Sequence, residues 1–196
     1  MNMARPFIVT GLPRSRTAWM SGWLSDGACL CRHEPELNDV ADLPNMLEST
    51  HYRFMGIADS GLGFDLGRIL EDFQIPTVIV ARPLEEVENS LDKLRAYFNI
   101  PKKADLCLAL QAELIKWEKH PLVMTVPYRA MNDVRTMQRA FWHLRMGEPF
   151  DEERFKMFSA LNIQVDVRHL TRRLMSTSPT PTPRMQAILQ KIAQGE

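Results

Sequence analysis

Phe7-Ile8-Val9-Thr10-Gly11-Leu12-Pro13-Arg14-Ser15-Arg16-Thr17-Ala18-Trp19 is the stretch that decides the reading of this chain. An apolar run of strand length breaks at a Gly/Pro turn and resumes as an amphipathic helix near Thr17. A strand, a turn and a helix N-terminus in that order gather free backbone N–H groups and the positive end of a helix dipole, which suits a phosphate or a similar anion. The segment departs from the triphosphate loop G-x-x-x-x-G-K-[ST]: Arg16 and Thr17 follow Gly11 after four residues, and no lysine is present to reach a β- or γ-phosphate. Taken alone, the same residues also describe an ordinary strand-turn-helix in which Arg and Ser act only as caps.

Outward from this stretch, apolar runs alternate with segments of helical period, which predicts an α/β fold built on a mainly parallel sheet of about five strands flanked by helices. Strands are expected at residues 7–10, 28–32, 54–58, 77–81 and 122–126. The β-branched run Thr77-Val78-Ile79-Val80-Ala81 reads as a central strand buried on both faces. Helices are expected at 17–24, 40–49, 65–72, 84–98, 104–120 and 131–146, with a short one carrying Phe155, Phe158 and Leu161. Leu106, Leu110, Leu114 and Trp117 fall at core spacing, and Trp142 and His143 read as structural residues on a core-spaced helix. One domain over residues 1–175 is expected, followed by a proline-rich spacer and a tail helix over 176–196.

The length of 196 residues suits a single core. With 24 basic and 24 acidic residues, nothing argues for a nucleic-acid or membrane-surface partner, so any anion site is a local arrangement. Three cysteines form no disulfide framework, and a reducing cytoplasm is the expected home. Cys29 and Cys31 alternate along a strand and are expected as buried thiols rather than metal ligands. No signal-type segment and no membrane-spanning apolar run is read from the sequence. Oligomeric state is left open.

A second anion signature follows the fourth strand. In Arg82-Pro83-Leu84-Glu85-Glu86-Val87-Glu88-Asn89-Ser90 an arginine stands at the carboxyl edge of the sheet, where open α/β sheets bind ligands, and a serine lies eight residues on in the next helix. A guanidinium offers phosphate a planar fork and the hydroxyl adds a donor.

The first stretch resembles the 5′-phosphosulfate loop of the sulfotransferases that use 3′-phosphoadenosine 5′-phosphosulfate, whose pattern runs G-x-P-[KR]-S-G-T-T-[WL]. Gly11, Pro13, Arg14, Ser15, Thr17 and Trp19 match, while Arg16 stands where glycine is usual and Ala18 where threonine is. The second resembles that family's R-x-P-x-x-V-x-x-S pattern in Arg82, Val87 and Ser90, with Pro83 one place early as in many bacterial members. Tyr128-Arg129-Ala130-Met131 is loosely similar to a Y-x-x-L segment of the family, so the resemblance spans roughly residues 7–146.

The resemblance implies a three-layer P-loop fold and transfer of a sulfuryl group to an acceptor hydroxyl or amine. It gives Arg14 the main electrostatic role and makes Gly11, Pro13, Ser15, Arg16, Thr17 and Ala18 the rest of the 5′-phosphosulfate cradle. Arg16 either adds charge there or turns outward. Arg82 and Ser90 would hold the 3′-phosphate. Glu34 stands twenty residues after Arg14, similar to the catalytic glutamate of the protein-tyrosine and heparan-type enzymes, and is the first choice of base, with His33 second. Asp59 and Ser60 are candidates for the acceptor pocket. The family's C-terminal R-K-G segment is missing, and Arg168, His169, Arg172 and Arg173 are a candidate substitute. No metal is implied. The acceptor, whether sugar, phenol, peptide or lipid, is not legible. Two other readings stand beside this one: a nucleotide kinase-like P-loop enzyme, which the missing lysine disfavours, and a non-catalytic nucleotide-binding module with a degraded loop.

Overall fold

Five strands, β1 (Arg5–Gly11), β2 (Cys29–His33), β3 (Phe54–Ala58), β4 (Thr77–Ala81) and β5 (Val123–Pro127), pair in the order β2-β3-β1-β4-β5, and every pairing is parallel. They belong to a computed structural model of the chain that describes residues 4–95 and 103–161. The helices are α1 (Thr17–Leu24), α2 (Leu43–Met46), α3 (Leu66–Glu71), α4 (Leu84–Arg95), α5 (Lys103–Trp117), α6 (Val134–Leu144) and α7 (Glu152–Ala160). The α/β class and the parallel five-stranded sheet are as expected. The middle strand is β1, and β4 is an interior strand beside it.

The period-two alternation of strand side chains divides the core between the two faces of the sheet. Phe7 and Val9 of β1, Phe54, Val78, Val80 and Val126 face α1, α6 and α7, where Trp19, Trp23, Met137, Phe141 and Phe155 fill one layer. On the other face Ile8 and Ile57 meet Leu43, Leu62 and Ile69, while Ile79 meets Leu66, Leu70, Val87, Leu110 and Leu114. Gly56 leaves room for this packing: a Cβ there would come within 2.2 Å of the Phe7 ring, itself fully buried. Gly56→Ala is therefore expected to cost about 1–3 kcal/mol through overpacking, read as a fall in urea midpoint.

Several elements differ from the sequence expectation. The helix expected over 40–49 is a 3-10 turn, Val40–Asp42, followed by the four-residue α2, because Asp39 caps Ala41 and a new start at Pro44 interrupts the periodicity. The helix expected from 131 begins at Val134, where the Asp133 carboxylate accepts from Thr136 N at 2.8 Å. Trp142, read as a structural residue on a core-spaced helix, is 46% exposed on the outer side of α6. Its neighbour His143 is structural, since Nε2–H donates to the carbonyls of Thr77 at 3.2 Å and Leu122 at 3.0 Å, at the start of β4 and just before β5. Leu106 and Trp117 are half-buried, whereas Leu110 and Leu114 are core. The 176–196 tail, the basic group at 168–173 and the end of the helix expected over 84–98 lie outside the described residues. Among the described residues no helix is long and apolar enough to cross a membrane.

The C-terminal end of α1 is held by two arginines from distant parts of the chain. Arg154 of α7 donates through Nε to Trp23 O at 3.1 Å and through Nη2 to Gly22 O at 3.0 Å and to Ser25 O. Arg145, just past α6, donates through Nη1 to Leu24 O at 3.1 Å and to Asp26 Oδ2 at 2.6 Å, with Nη2 3.3 Å from Asp26 Oδ1. Carbonyls that a helix end leaves without partners are thus capped by positive charge at the negative end of the dipole.

Burial raises the Asp26 carboxyl pKa, but hydrogen bonds from Arg145 and the Ala28 amide, with the charges of Arg145 and Arg154, outweigh it and hold the group below its ordinary value. A depressed folded pKa makes the stabilisation complete above the unfolded carboxylate value of about 4 and lost as pH falls through the folded value. Urea midpoints are therefore expected to drop below about pH 4, and Asp26→Asn is expected to flatten that acid limb. Burial also pushes the nearby Cys29 thiol up to about 12 and the Cys31 thiol in the same direction, so both free cysteines stay protonated and inert.

Candidate anion-binding site

The loop between β1 and α1 begins at Gly11, the last residue of β1 paired with β4. Gly11 is in register with Val80, and a Cβ at Gly11 would meet Val80 O at 2.6 Å, so glycine is required for the strand to end there. A turn closed by Ser15 N donating to Leu12 O at 3.2 Å follows, with Pro13 half-buried in it. Arg14 (φ 66°) and Arg16 (φ 63°) both adopt the left-handed backbone, which costs a non-glycine residue about 1–2 kcal/mol each. That strain is what turns the chain tightly enough to start α1 at Thr17, with Ala18 in its first turn.

The N-terminus of α1 is left bare. Arg16 at the N-cap contributes no side-chain hydrogen bond, and no acidic residue stands in the first turn. Ser15 is fully buried and its Oγ has no hydrogen-bond partner within the protein. A buried hydroxyl left unmatched costs about 1–3 kcal/mol, so such a group beside a bare helix N-terminus is arranged for an acceptor supplied from outside. A phosphate or sulfate oxygen meets that requirement.

The second sequence signature converges on the same loop. Arg82 directly follows β4, and its Nη1 donates to Arg14 O at 2.5 Å, across 68 residues of sequence. The Arg14 Nε donates to Ser90 Oγ of α4 at 3.3 Å, across 76 residues. Arg82 lies over the Tyr128 ring at 4.3 Å, and its Nε is buried without a hydrogen-bond partner. Arg14, Ser15, Arg82 and Ser90 are therefore one cluster, in which Ser15 Oγ and Arg82 Nε make no hydrogen bond within the protein.

Arg16 is directed to the other side. Its Nη1 donates to Asn132 Oδ1 at 3.0 Å and its guanidinium lies 4.9 Å over the Trp19 ring, so the charge braces the loop against the segment before α6. Of the two alternatives open at the sequence level, the side chain turns outward. The indole Nε1–H of Trp19 in turn donates to Phe158 O at 2.7 Å, which fastens α1 to α7.

His33, at the end of β2, has Nε2 3.3 Å from Thr17 Oγ1, the first residue of α1. The Glu34 Oε1 lies 3.7 Å from that same Nε2, with a carboxylate side chain 54% exposed and a left-handed backbone, φ 42°. His33 thus touches the anion loop, and Glu34 stands behind it. Asp59 and Ser60 build the turn after β3: the Asp59 carboxylate accepts from Gly61 N at 2.6 Å, and Ser60 O accepts from Thr10 Oγ1 at 3.4 Å. A cavity of about 70 Å³ opens beside Arg82, lined by Leu12, Ile79, Gln111, Leu114, Ile115 and Thr125, so that α5 forms one wall.

Sequence reasoning missed three contributors. Tyr128 belonged to a weakly matched segment, and nothing in its spacing placed it under Arg82. Asn132 carried no signal at all. Glu86, four residues after Arg82, was legible as an i,i+4 partner on a helix start, and it lies with Oε2 3.6 Å from Arg82 Nε.

No protein-family model matches the sequence, and no curated protein sequence matches it either. A solved structure of similar fold is that of a mouse sulfotransferase, SULT7A1, complexed with PAP. The two share 14% sequence identity and superpose with a TM-score of 0.56 over 79% of this chain. This chain spans 63% of the mouse chain's length. The five-stranded parallel sheet with its flanking helices is thus an α/β fold like that of the mouse sulfotransferase.

Proposed function

We propose that this protein is a sulfotransferase that takes 3′-phosphoadenosine 5′-phosphosulfate as donor and passes its sulfuryl group to an acceptor hydroxyl or amine. The observation that carries this reading is the meeting of the two anion signatures: Arg82 donates to the Arg14 carbonyl while Arg14 donates to Ser90, around the partnerless Ser15 hydroxyl. A ligand with phosphates at two separated positions uses both halves of that cluster, whereas a triphosphate needs the lysine that Gly11–Thr17 lacks.

When bound, the donor supplies an activated S–O bond whose cleavage leaves a phosphate, while a new bond forms between sulfur and the acceptor oxygen or nitrogen. Ser15, Thr17 and the free N–H groups at the start of α1 bind the 5′ end, and Arg14 stabilises negative charge developing on the bridging oxygen. Arg82 and Ser90 hold the 3′-phosphate and orient the nucleotide against the loop. His33 takes the acceptor proton, with the Glu34 carboxylate beside it to stabilise the resulting imidazolium. His33 is preferred to Glu34 as the base because its ring reaches Thr17 Oγ1 at the start of α1.

Titration calorimetry with 3′-phosphoadenosine 5′-phosphate, adenosine 5′-phosphate and ATP–Mg²⁺ tests the donor. Preference for the bisphosphate is expected, and equal or tighter binding of ATP–Mg²⁺ would overturn the reading in favour of a kinase-like one. For the base, His33→Asn is expected to lower turnover about 10²–10⁴-fold with little change in bisphosphate affinity, and Glu34→Gln to lower it less. The reverse order would return the proton to Glu34.

A further inference from the structure

Glu86, in the first turn of α4, is shared by two arginines. Its Oε1 accepts from Arg129 Nη2 at 2.6 Å and Nε at 3.2 Å, while its Oε2 stops 3.6 Å from Arg82 Nε. The other edge of the Arg82 guanidinium is taken by the Arg14 carbonyl through Nη1, and one of its faces by the Tyr128 ring. The Nε edge is what remains for an incoming phosphate: its Nε is buried without a hydrogen bond and is met only by the longer ion pair to Glu86.

A carboxylate beside the one free edge of a phosphate-binding arginine is a direct competitor: it offers the same bidentate acceptor geometry and repels the incoming dianion. Arg129 removes both effects by drawing one carboxylate oxygen to itself and balancing the charge. Its hydrogen bond is the main cause holding the Glu86 carboxyl below the ordinary value, so the pair stays ionised.

We propose that Arg129 is a specificity-determining residue for the 3′-phosphate that acts without touching it, by holding Glu86 at the 3.6 Å ion pair so that it does not close to a hydrogen bond on the Nε edge of Arg82. This rests on the donor reading given above. Arg129 and Glu86 have side chains 81% and 30% exposed, so their replacement leaves the core intact.

The test is calorimetric titration of the wild type, Arg129→Ala, Glu86→Gln and the double variant with 3′-phosphoadenosine 5′-phosphate and, separately, adenosine 5′-phosphate. Arg129→Ala is expected to weaken the bisphosphate about tenfold and the monophosphate less than about twofold, because only the 3′-phosphate meets the released carboxylate. Adding Glu86→Gln to Arg129→Ala is expected to restore bisphosphate affinity to the wild-type level. Unchanged affinity in Arg129→Ala overturns the proposal, and so does a double variant as weak as Arg129→Ala, which would make Arg129 a direct phosphate ligand. A wild type that does not prefer the bisphosphate overturns the donor reading itself, whereas a preference equally strong in all four proteins overturns only the role of Arg129.

Discussion

Replacing Arg14 by alanine is expected to weaken 3′-phosphoadenosine 5′-phosphate binding about 10- to 100-fold, the worth of a charge-assisted contact to a phosphate. On the proposed sulfuryl transfer, turnover is expected to fall further, by about 10²–10³-fold, because charge accumulates on the bridging oxygen only as the S–O bond breaks. Arg14 holds this position through two tethers. Its Nε donates to Ser90 and its carbonyl accepts from Arg82, so losing the side chain removes a ligand and the Ser90 tether to α4 while the Arg82 tether stays. The backbone at Arg14 is left-handed, which separates the two contributions. Arg14→Gly relieves the strain and loses the charge, so it is expected to match alanine in affinity while unfolding at a higher temperature. Arg14→Lys keeps the charge but not the fork, and is expected to recover only part of the loss. Calorimetry with single-turnover transfer measures all three, and wild-type binding by Arg14→Ala would remove the residue from the site.

Arg145→Ala is expected to destabilise the protein by about 3–5 kcal/mol, the cost of breaking a buried ion pair from one side. The Arg145 side chain is almost wholly buried, its guanidinium lies between the Phe54 and Phe141 rings at 5.2 and 4.8 Å, and its departure leaves Leu24 O and the Asp26 carboxylate without it. For a chain of this length each kcal/mol moves the midpoint by about 2–4 °C, so a fall of roughly 10 °C or more is expected in a thermal scan. The effect reaches the anion site, because α1 is the helix whose other end faces the loop. Loss of less than about 1 kcal/mol would show that Arg154 alone suffices to cap α1.

Much of the fold was legible in local pattern. The run from Thr77 to Ala81 is β-branched because it is covered on both sides, and the strand is found at those residues. Thr17 to Leu24 is a helix as read, since the Gly/Pro break before it and the apolar spacing within it are both short-range signals. Trp142 was misread for the converse reason. Its neighbours Met137, Ala140, Phe141 and Leu144 make the apolar stripe, and a tryptophan one residue off that stripe faces outward whatever its hydrophobicity. The 40–49 segment failed because an Asx cap and a proline both act within a few residues and override periodicity.

By itself, then, the sequence determined the α/β class, the five strands found among the described residues and the placing of two candidate anion-binding signatures at strand-to-helix junctions. Those properties depend on hydrophobic period, on glycine at a close approach and on residue types with phosphate chemistry, all of which are local. Only the tertiary structure decided that β4 lies directly beside β1, which brings Arg82 to the Arg14 carbonyl, and that the end of β2 meets the start of α1, which brings His33 to Thr17. It also decided that Arg16 braces Asn132 and that Arg129 shares Glu86 with Arg82. The physical reason is that a guanidinium or a carboxylate takes its partner from whatever the order of the strands and the packing of the helices bring within about 3 Å, and residues dozens of positions apart carry no record of that distance in their spacing.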